Sequence, residues 1–333
     1  MRPAGAAGRG VRAVLVGAGA VAALVVLRAA SPTDPARTNY RGRSVSLRGG
    51  PALAVAASVT AAAGAPGASS AAATLIAGLG SGVVGRYDDT HAQPAKGFRG
   101  HLAALRRGQV TTGVVKILGV GAAATAAAAL LAADPATGGP GRRPRDAGRP
   151  AAGLPTVRGA LSTLLGAGVI AGSANLVNLL DLRPGRALKV GLLVGAPLLA
   201  GPAGGLAAGP VGAAAALLPA DLDEQIMLGD CGANALGAVL GVALAARTGP
   251  AGRAGTLAVI AALTAASERV SFTQVIARTP PLRVLDELGR RETRASAGTR
   301  PTERPGARPT ERPGAVPAER LPGAVPAERP PGA

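Results

Sequence analysis

A single cysteine, Cys231, rules out an intrachain disulfide in this 333-residue chain, so packing alone must hold the fold together. Tryptophan is absent, and two tyrosines and two phenylalanines are the whole aromatic complement. A base-stacking surface needs aromatics beside its cations, so nucleic acid is excluded as a partner. A water-soluble core would also be short of bulky rings. Histidine is equally scarce: His91 and His101 stand alone, and no His/Cys cluster has zinc spacing.

What the chain has instead is small and apolar. It is 48% hydrophobic, carries 50 glycines and has a mean hydropathy of +0.30. Helices in a bilayer gain nothing from hydrophobicity when they associate, so close approach through Gly, Ala and Ser takes over. The net charge of +18 lies mostly in short Arg-bearing loops and in the C-terminal region, a distribution suited to anionic lipid headgroups.

Apolar runs fall at 11–30, 51–64, 68–85, 111–133, 157–177, 188–204, 205–219, 232–247 and 254–270. Their lengths predict an all-α, polytopic membrane bundle of about nine transmembrane helices, within a range of eight to ten. Gly201-Pro202 and Gly209-Pro210 interrupt the pair 188–219, which reads either as two short spans or as one broken span. Residues 134–153, rich in Pro, Gly and Arg, read as an irregular loop. The membrane domain covers 1–291. Beyond it, Arg300-Pro301-Thr302-Glu303-Arg304-Pro305-Gly306-Ala307 recurs over Arg308 to Ala315 and twice more in looser form. A tract of that composition has no apolar face to bury, so 292–333 is expected to be a disordered tail.

The first run, with Arg9 and Arg12 before it and Arg28-Ala29-Ala30-Ser31 after it, also fits a cleaved secretory signal. Loop parity favours a span. If all nine runs cross, segments 31–50, 86–110, 178–187, 220–231 and the C-terminal region share one face, and every polar motif falls there.

Those motifs are acidic and sit at the ends of apolar runs: Gly85-Arg86-Tyr87-Asp88-Asp89, Asn178-Leu179-Leu180-Asp181 and Leu228-Gly229-Asp230-Cys231-Gly232. Carboxylates are costly near hydrocarbon, so their recurrence there points to a shared site. Oxygen ligands of this kind suit Mg²⁺, which takes one or two carboxylates and completes its shell with water and phosphate. Cations suited to phosphate accompany them: Arg48 before Gly49-Gly50, Lys96, Lys116 and Arg186. Each cation alone is better explained as a topological anchor than as a ligand. Interleaved with acids on one face, they suit a metal-diphosphate substrate.

Asp88-Asp89 with Lys96 and Lys116, then Asn175-Leu176-Val177-Asn178-Leu179-Leu180-Asp181, then Leu228-Gly229-Asp230-Cys231-Gly232-Ala233-Asn234 resemble, in order, the signature loops of the polyprenyl-phosphate N-acetylhexosamine-1-phosphate transferases. That superfamily includes phospho-N-acetylmuramoyl-pentapeptide transferase, and the resemblance covers about 37–290. It implies transfer of a sugar-1-phosphate from a UDP-sugar to undecaprenyl or decaprenyl phosphate with release of UMP, in peptidoglycan or other cell-wall synthesis. The enzyme would be a plasma-membrane protein with a cytoplasmic site, using Mg²⁺ or Mn²⁺, and the resemblance is compatible with a homodimer.

By the same resemblance Asp230 is the leading metal ligand. Asp88 and Asp89 support the metal or deprotonate the lipid phosphate, Asn178 and Asp181 position nucleotide or metal, and Lys116 contacts phosphate. Two departures stand out. The loop after the first run reads Ser44-Val45-Ser46-Leu47-Arg48-Gly49-Gly50 without the family's Thr-Pro pattern, and its late His-rich loop is replaced by Ser267-Glu268-Arg269-Val270-Ser271-Phe272-Thr273. Glu268 and Arg269 are therefore expected to select the donor, with a lean towards a UDP-N-acetylhexosamine that bears no peptide. A catalytically silent relative serving as a membrane scaffold is the alternative. A transporter is disfavoured because its acids belong near mid-span.

Overall fold

The computed structural model describes residues 6–31, 35–91, 106–108, 111–134, 157–201 and 203–291. The tail repeats, Lys96, His101 and most of loop 134–153 lie outside that set. Each of the nine apolar runs forms a helix: α1 (Ala6–Ala29), α2 (Gly49–Ala63), α3 (Ala68–Thr90), α4 (Thr112–Ala133), α5 (Val157–Leu180), α6 (Arg186–Leu198), α7 (Gly204–Leu222), α8 (Gly229–Arg247) and α9 (Pro250–Ser267). Two short helices follow, α10 (Phe272–Arg278) and α11 (Pro280–Glu287).

Among the described residues six helices are long and apolar enough to cross a membrane: α1, α3, α4, α5, α7 and α8. The protein is thus a multi-pass helical bundle by composition and length, short of the nine spans that the runs predict. The three that fall short are α2, α6 and α9, the last being 18 residues long with Arg253 inside it. The pair 188–219 is two helices rather than one broken helix, and the break at Gly201 leaves α6 with only 13 residues. Apolar α2 has 15, roughly five short of what a bilayer core requires.

An antiparallel hairpin joins α1 to α2, with β1 (Ala36–Thr38) paired to β2 (Ser44–Ser46). The expectation of helices alone misses it. Its second strand bridges in parallel to the α7–α8 connection, where Met227 N donates to Ser46 O at 2.8 Å.

Helix α8 is the axis of the bundle, buried along nearly its whole length and packed by α2, α3, α5 and α7. Glycine makes that closeness feasible. A Cβ at Gly85 of α3 would collide with the Asp230 carbonyl and lie 2.7 Å from Cys231 N. At the other side of the bundle, Gly212 of α7 leaves no room for a Cβ beside Val16 of α1. That contact makes α1 an integral layer of the bundle.

The two ends of the bundle are built differently. At one end, arginines satisfy exposed helix-terminal carbonyls: Arg12 on Leu199, Arg247 on Pro197 at 3.1 Å, and buried Arg253 on Ala245 at 2.9 Å. Asp134 accepts from Ser70 N at 3.0 Å at that same end. The acids gather at the other.

Candidate functional site

Four helix ends converge here: the C-termini of α3 and α5 and the N-termini of α4 and α8. Lys116, one turn into α4, lies 3.5 Å from Asp88 Oδ2 and donates to Asp230 Oδ2. Asn178 completes the cluster. With its amide oriented to satisfy both neighbours, its nitrogen donates to Asp230 Oδ1 and its oxygen accepts from Lys116 Nζ, each at 3.0 Å. The side chains of Lys116, Asp88 and Asp230 remain 18%, 20% and 20% exposed, so a substrate can reach them.

Asp89 does something else. Its two carboxylate oxygens accept from Asp230 N and Cys231 N, both at 3.0 Å, and Arg37 of β1 stands 3.4 Å away. The side chain is wholly buried. Such a bond pair satisfies orphan amides at a helix N-terminus and places negative charge at the positive end of its dipole. Asp89 therefore caps α8 and fixes where Asp230 points. Gly229 makes the approach feasible: its φ is +58°, and a Cβ there would sit 2.8 Å from both Asp89 oxygens.

Beside this cluster lies a cavity of about 440 Å³, bordered among others by Arg37, Asn39, Tyr40, Asp181, Arg183 and Asp230. The hairpin forms one wall. Buried Glu224, itself in the left-handed region at φ +56°, holds that wall in place through Arg41 at 2.8 Å and Asn39 at 2.8 Å. Arg183 stacks 3.9 Å above the Tyr40 ring. Burial, reinforced by the charges of Asp221, Asp230 and Asp89, holds the Asp181 carboxyl well above the ordinary aspartate range, with Arg37 pulling weakly the other way. Asp181 thus favours folding while protonated and costs stability as pH rises through its raised pKa.

Of the residues singled out by sequence, Asp88, Asp230, Lys116 and Asn178 meet directly, Asp89 supports them and Asp181 faces the adjoining cavity. Lys96 is outside the described residues, and the remaining ones lie elsewhere. Arg48 turns to Ser46 Oγ at 3.1 Å. Glu268 and Arg269 are exposed at the end of α9 and do not line the cavity. Arg186 is committed to structure: it pairs Asp286 of α11 at 2.8 and 3.0 Å and Thr273 at 3.0 Å. Next to it, Lys189 donates to the carbonyls of Leu285, Asp286 and Leu288. Sequence reasoning passed over Arg37, Asn39, Tyr40 and Glu224. The signal available was Asn39 and Gly42 between two short β-prone stretches, a faint hairpin signature.

Among the described residues no three His, Cys, Asp or Glu side chains form a metal-holding group. Asp88 and Asp230 nonetheless bring two carboxylates together on Lys116 Nζ, and oxygen ligands of that kind suit Mg²⁺ when phosphate and water supply the rest. No known protein family matches the chain, and no curated protein matches it.

Two tests arise directly from this geometry. Cysteines placed singly at Arg43 and at Leu182, which is 58% exposed, should both react with a membrane-impermeant maleimide from the same side. Cys231, 4% exposed, should stay slow. Labelling of the two from opposite sides would contradict the common end. The second test concerns Asp286. Burial pulls its carboxyl upward, but hydrogen bonds and charge from Arg186 and Arg290 outweigh this and leave it below the ordinary range. A depressed pKa contributes stability that is complete above the unfolded value, about 3.9, and lost as pH falls through the folded one. Asp286→Asn should therefore destabilise the detergent-solubilised protein by about 3–5 kcal/mol at neutral pH, the cost of leaving a buried cation unpaired. An unchanged Tm would refute the lock.

Proposed function

We propose that this chain transfers a sugar-1-phosphate, N-acetylhexosamine-1-phosphate by preference, from a UDP-sugar to membrane polyprenyl phosphate, releasing UMP. The observation that supports it most is the Asp88–Lys116–Asp230–Asn178 cluster beside a cavity, at one end of an apolar bundle. In this reading all nine apolar helices belong to the membrane domain, and the acid end faces the cytoplasm.

The reaction joins two anions: an oxygen of the lipid phosphate attacks the sugar-bearing phosphorus, a new P–O bond forms, and the bond to the bridging oxygen breaks as UMP departs. Repulsion is the main obstacle, so neutralisation and positioning carry the catalysis. Lys116 supplies a fixed cation between the reacting phosphates. Asp88, near the C-terminal end of α3, orients the attacking phosphate or accepts its remaining proton. Asp230 and Asp88 would hold Mg²⁺ or Mn²⁺, which when bound supplies further charge neutralisation. Asn178 holds both Lys116 and Asp230 in register, and Asp89 aims Asp230 through the α8 cap. Arg37 and Arg183 suit the donor diphosphate.

The scaffold reading retains one supporting observation, the exposure of Glu268 and Arg269 away from the cavity where a family donor loop would be expected. UMP release from a panel of UDP-sugars, in membranes containing polyprenyl phosphate, separates the two. Release with at least one donor supports the transferase, whereas silence with every donor alongside retained polyprenyl phosphate binding supports the scaffold. Truncation after Ala297 should spare insertion and turnover, because the repeats carry neither apolar face nor site chemistry; a severe loss of specific activity would assign them a part in the site.

A further inference from the structure

Helix α11 is amphipathic the wrong way round for a helix packed on a protein. At 3.6 residues per turn, Leu282, Val284, Leu285 and Leu288 fall on one side, and Arg283, Asp286 and Glu287 on the other. A surface helix of a soluble protein turns its apolar side to the core. Here the docking comes from Asp286 on the polar side, which receives Arg186, and from the backbone carbonyls at the helix end, which Lys189 reaches, while Arg283 and Glu287 stay exposed. The apolar side is left outward, with Leu282, Val284, Leu285 and Leu288 at 44%, 65%, 37% and 65% exposure. Val270 and Val275, just upstream, are also exposed at 47% and 41%.

We infer that Phe272–Leu288 lies on the bilayer surface, its apolar side set into the boundary between headgroups and acyl chains, and that it prefers anionic lipid. Two features identify the occupant. The segment leaves α9 and docks by the start of α6, at the bundle end where α3, α5 and α7 also terminate, so its apolar side continues the lipid-facing surface of the spans at the level of the interface. Arg278 and Arg283 are exposed along the same segment against Glu287 as its one exposed acid, Asp286 being neutralised by Arg186 and Arg290, and such a cationic excess beside an aliphatic face matches a negatively charged headgroup layer. The polar lock to Arg186 and Lys189 then ties that seat rigidly to α6. This inference does not depend on the transferase reading, since it rests on the membrane bundle and on α11 alone.

The absence of tryptophan makes the test clean. Val284→Trp, Leu288→Trp and Glu287→Trp are made singly in the full chain and reconstituted into phosphatidylcholine vesicles with and without phosphatidylglycerol. Their fluorescence is then quenched by lipids brominated near the headgroup end of the acyl chain, or by aqueous iodide. Expected is blue-shifted emission, strong bromolipid quenching and weak iodide quenching at 284 and 288, with the reverse at 287. Phosphatidylglycerol should deepen the bromolipid effect, and Arg278→Gln with Arg283→Gln should abolish that increment. Iodide quenching at 284 and 288 would overturn the inference by leaving the face in water. Shielding from both quenchers would overturn it in favour of a protein partner, such as a second copy of the chain. An increment from phosphatidylglycerol that survives both glutamine substitutions would refute the anionic preference.

Discussion

Asp230→Asn should remain in the membrane with a near-normal Tm and lose at least about 100-fold in kcat, the scale on which single electrostatic stabilisers act. The amide keeps the shape of the carboxylate. It forfeits the charge that pairs with Lys116 and that a divalent cation requires. Stability should survive because the α8 cap uses the backbone N–H of Asp230, not its side chain. Asp89→Asn makes the contrast. It weakens the cap itself, so it should lower both Tm and activity. Turnover by Asp230→Asn close to that of the unaltered chain, or turnover indifferent to EDTA, would sink the proposed mechanism.

Gly85→Ala should be nearly as damaging although it adds only a methyl group. That methyl meets backbone rather than a yielding side chain: the Asp230 carbonyl, and Cys231 N at 2.7 Å. Relief requires α3 and α8 to separate, at a cost of about 1–3 kcal/mol. Asp88 rides on α3 and Asp230 on α8, so separation widens the gap that Lys116 bridges. A displacement of about 1 Å at reacting groups can cost on the order of 100-fold in rate. Unaltered activity and Tm in Gly85→Ala would mean that the two helices do not need this contact.

The helices were legible because each apolar run is written contiguously, and the acids stood out because charge is rare at run ends. Asp88, Lys116, Asn178 and Asp230 are recognisable as a set only through their order along the chain, yet they meet within hydrogen-bonding reach. What could not be read is partnership at long range. Arg186 looks like a phosphate ligand until Asp286, 100 residues later, is found beside it. Asp89 looks like a twin of Asp88, and only the contact of α3 with α8 turns it into a cap. The hairpin was hidden because three-residue strands carry almost no periodicity, and its stabilising partner, Glu224, belongs to a distant connection. Glu268 and Arg269 were singled out because their polar segment replaces the family's late His-rich loop on the same face, which says nothing about which side of a helix end faces the cavity.

The hairpin has a bearing on how the protein is made. Asn39 and Glu224, whose bond steadies the cavity wall, are separated by 185 residues, and Lys116 must wait 114 residues for Asp230. Synthesis runs from the N-terminus at about 5–20 residues per second. Early helices therefore emerge many seconds before the last contributors to the acid end. Lys116 and Asp88 spend that interval without their third partner, and the hairpin without its docking edge. A chain halted between α4 and α8 would hold Asp88 and Lys116 without Asp230, so the cluster closes late and nearly all at once.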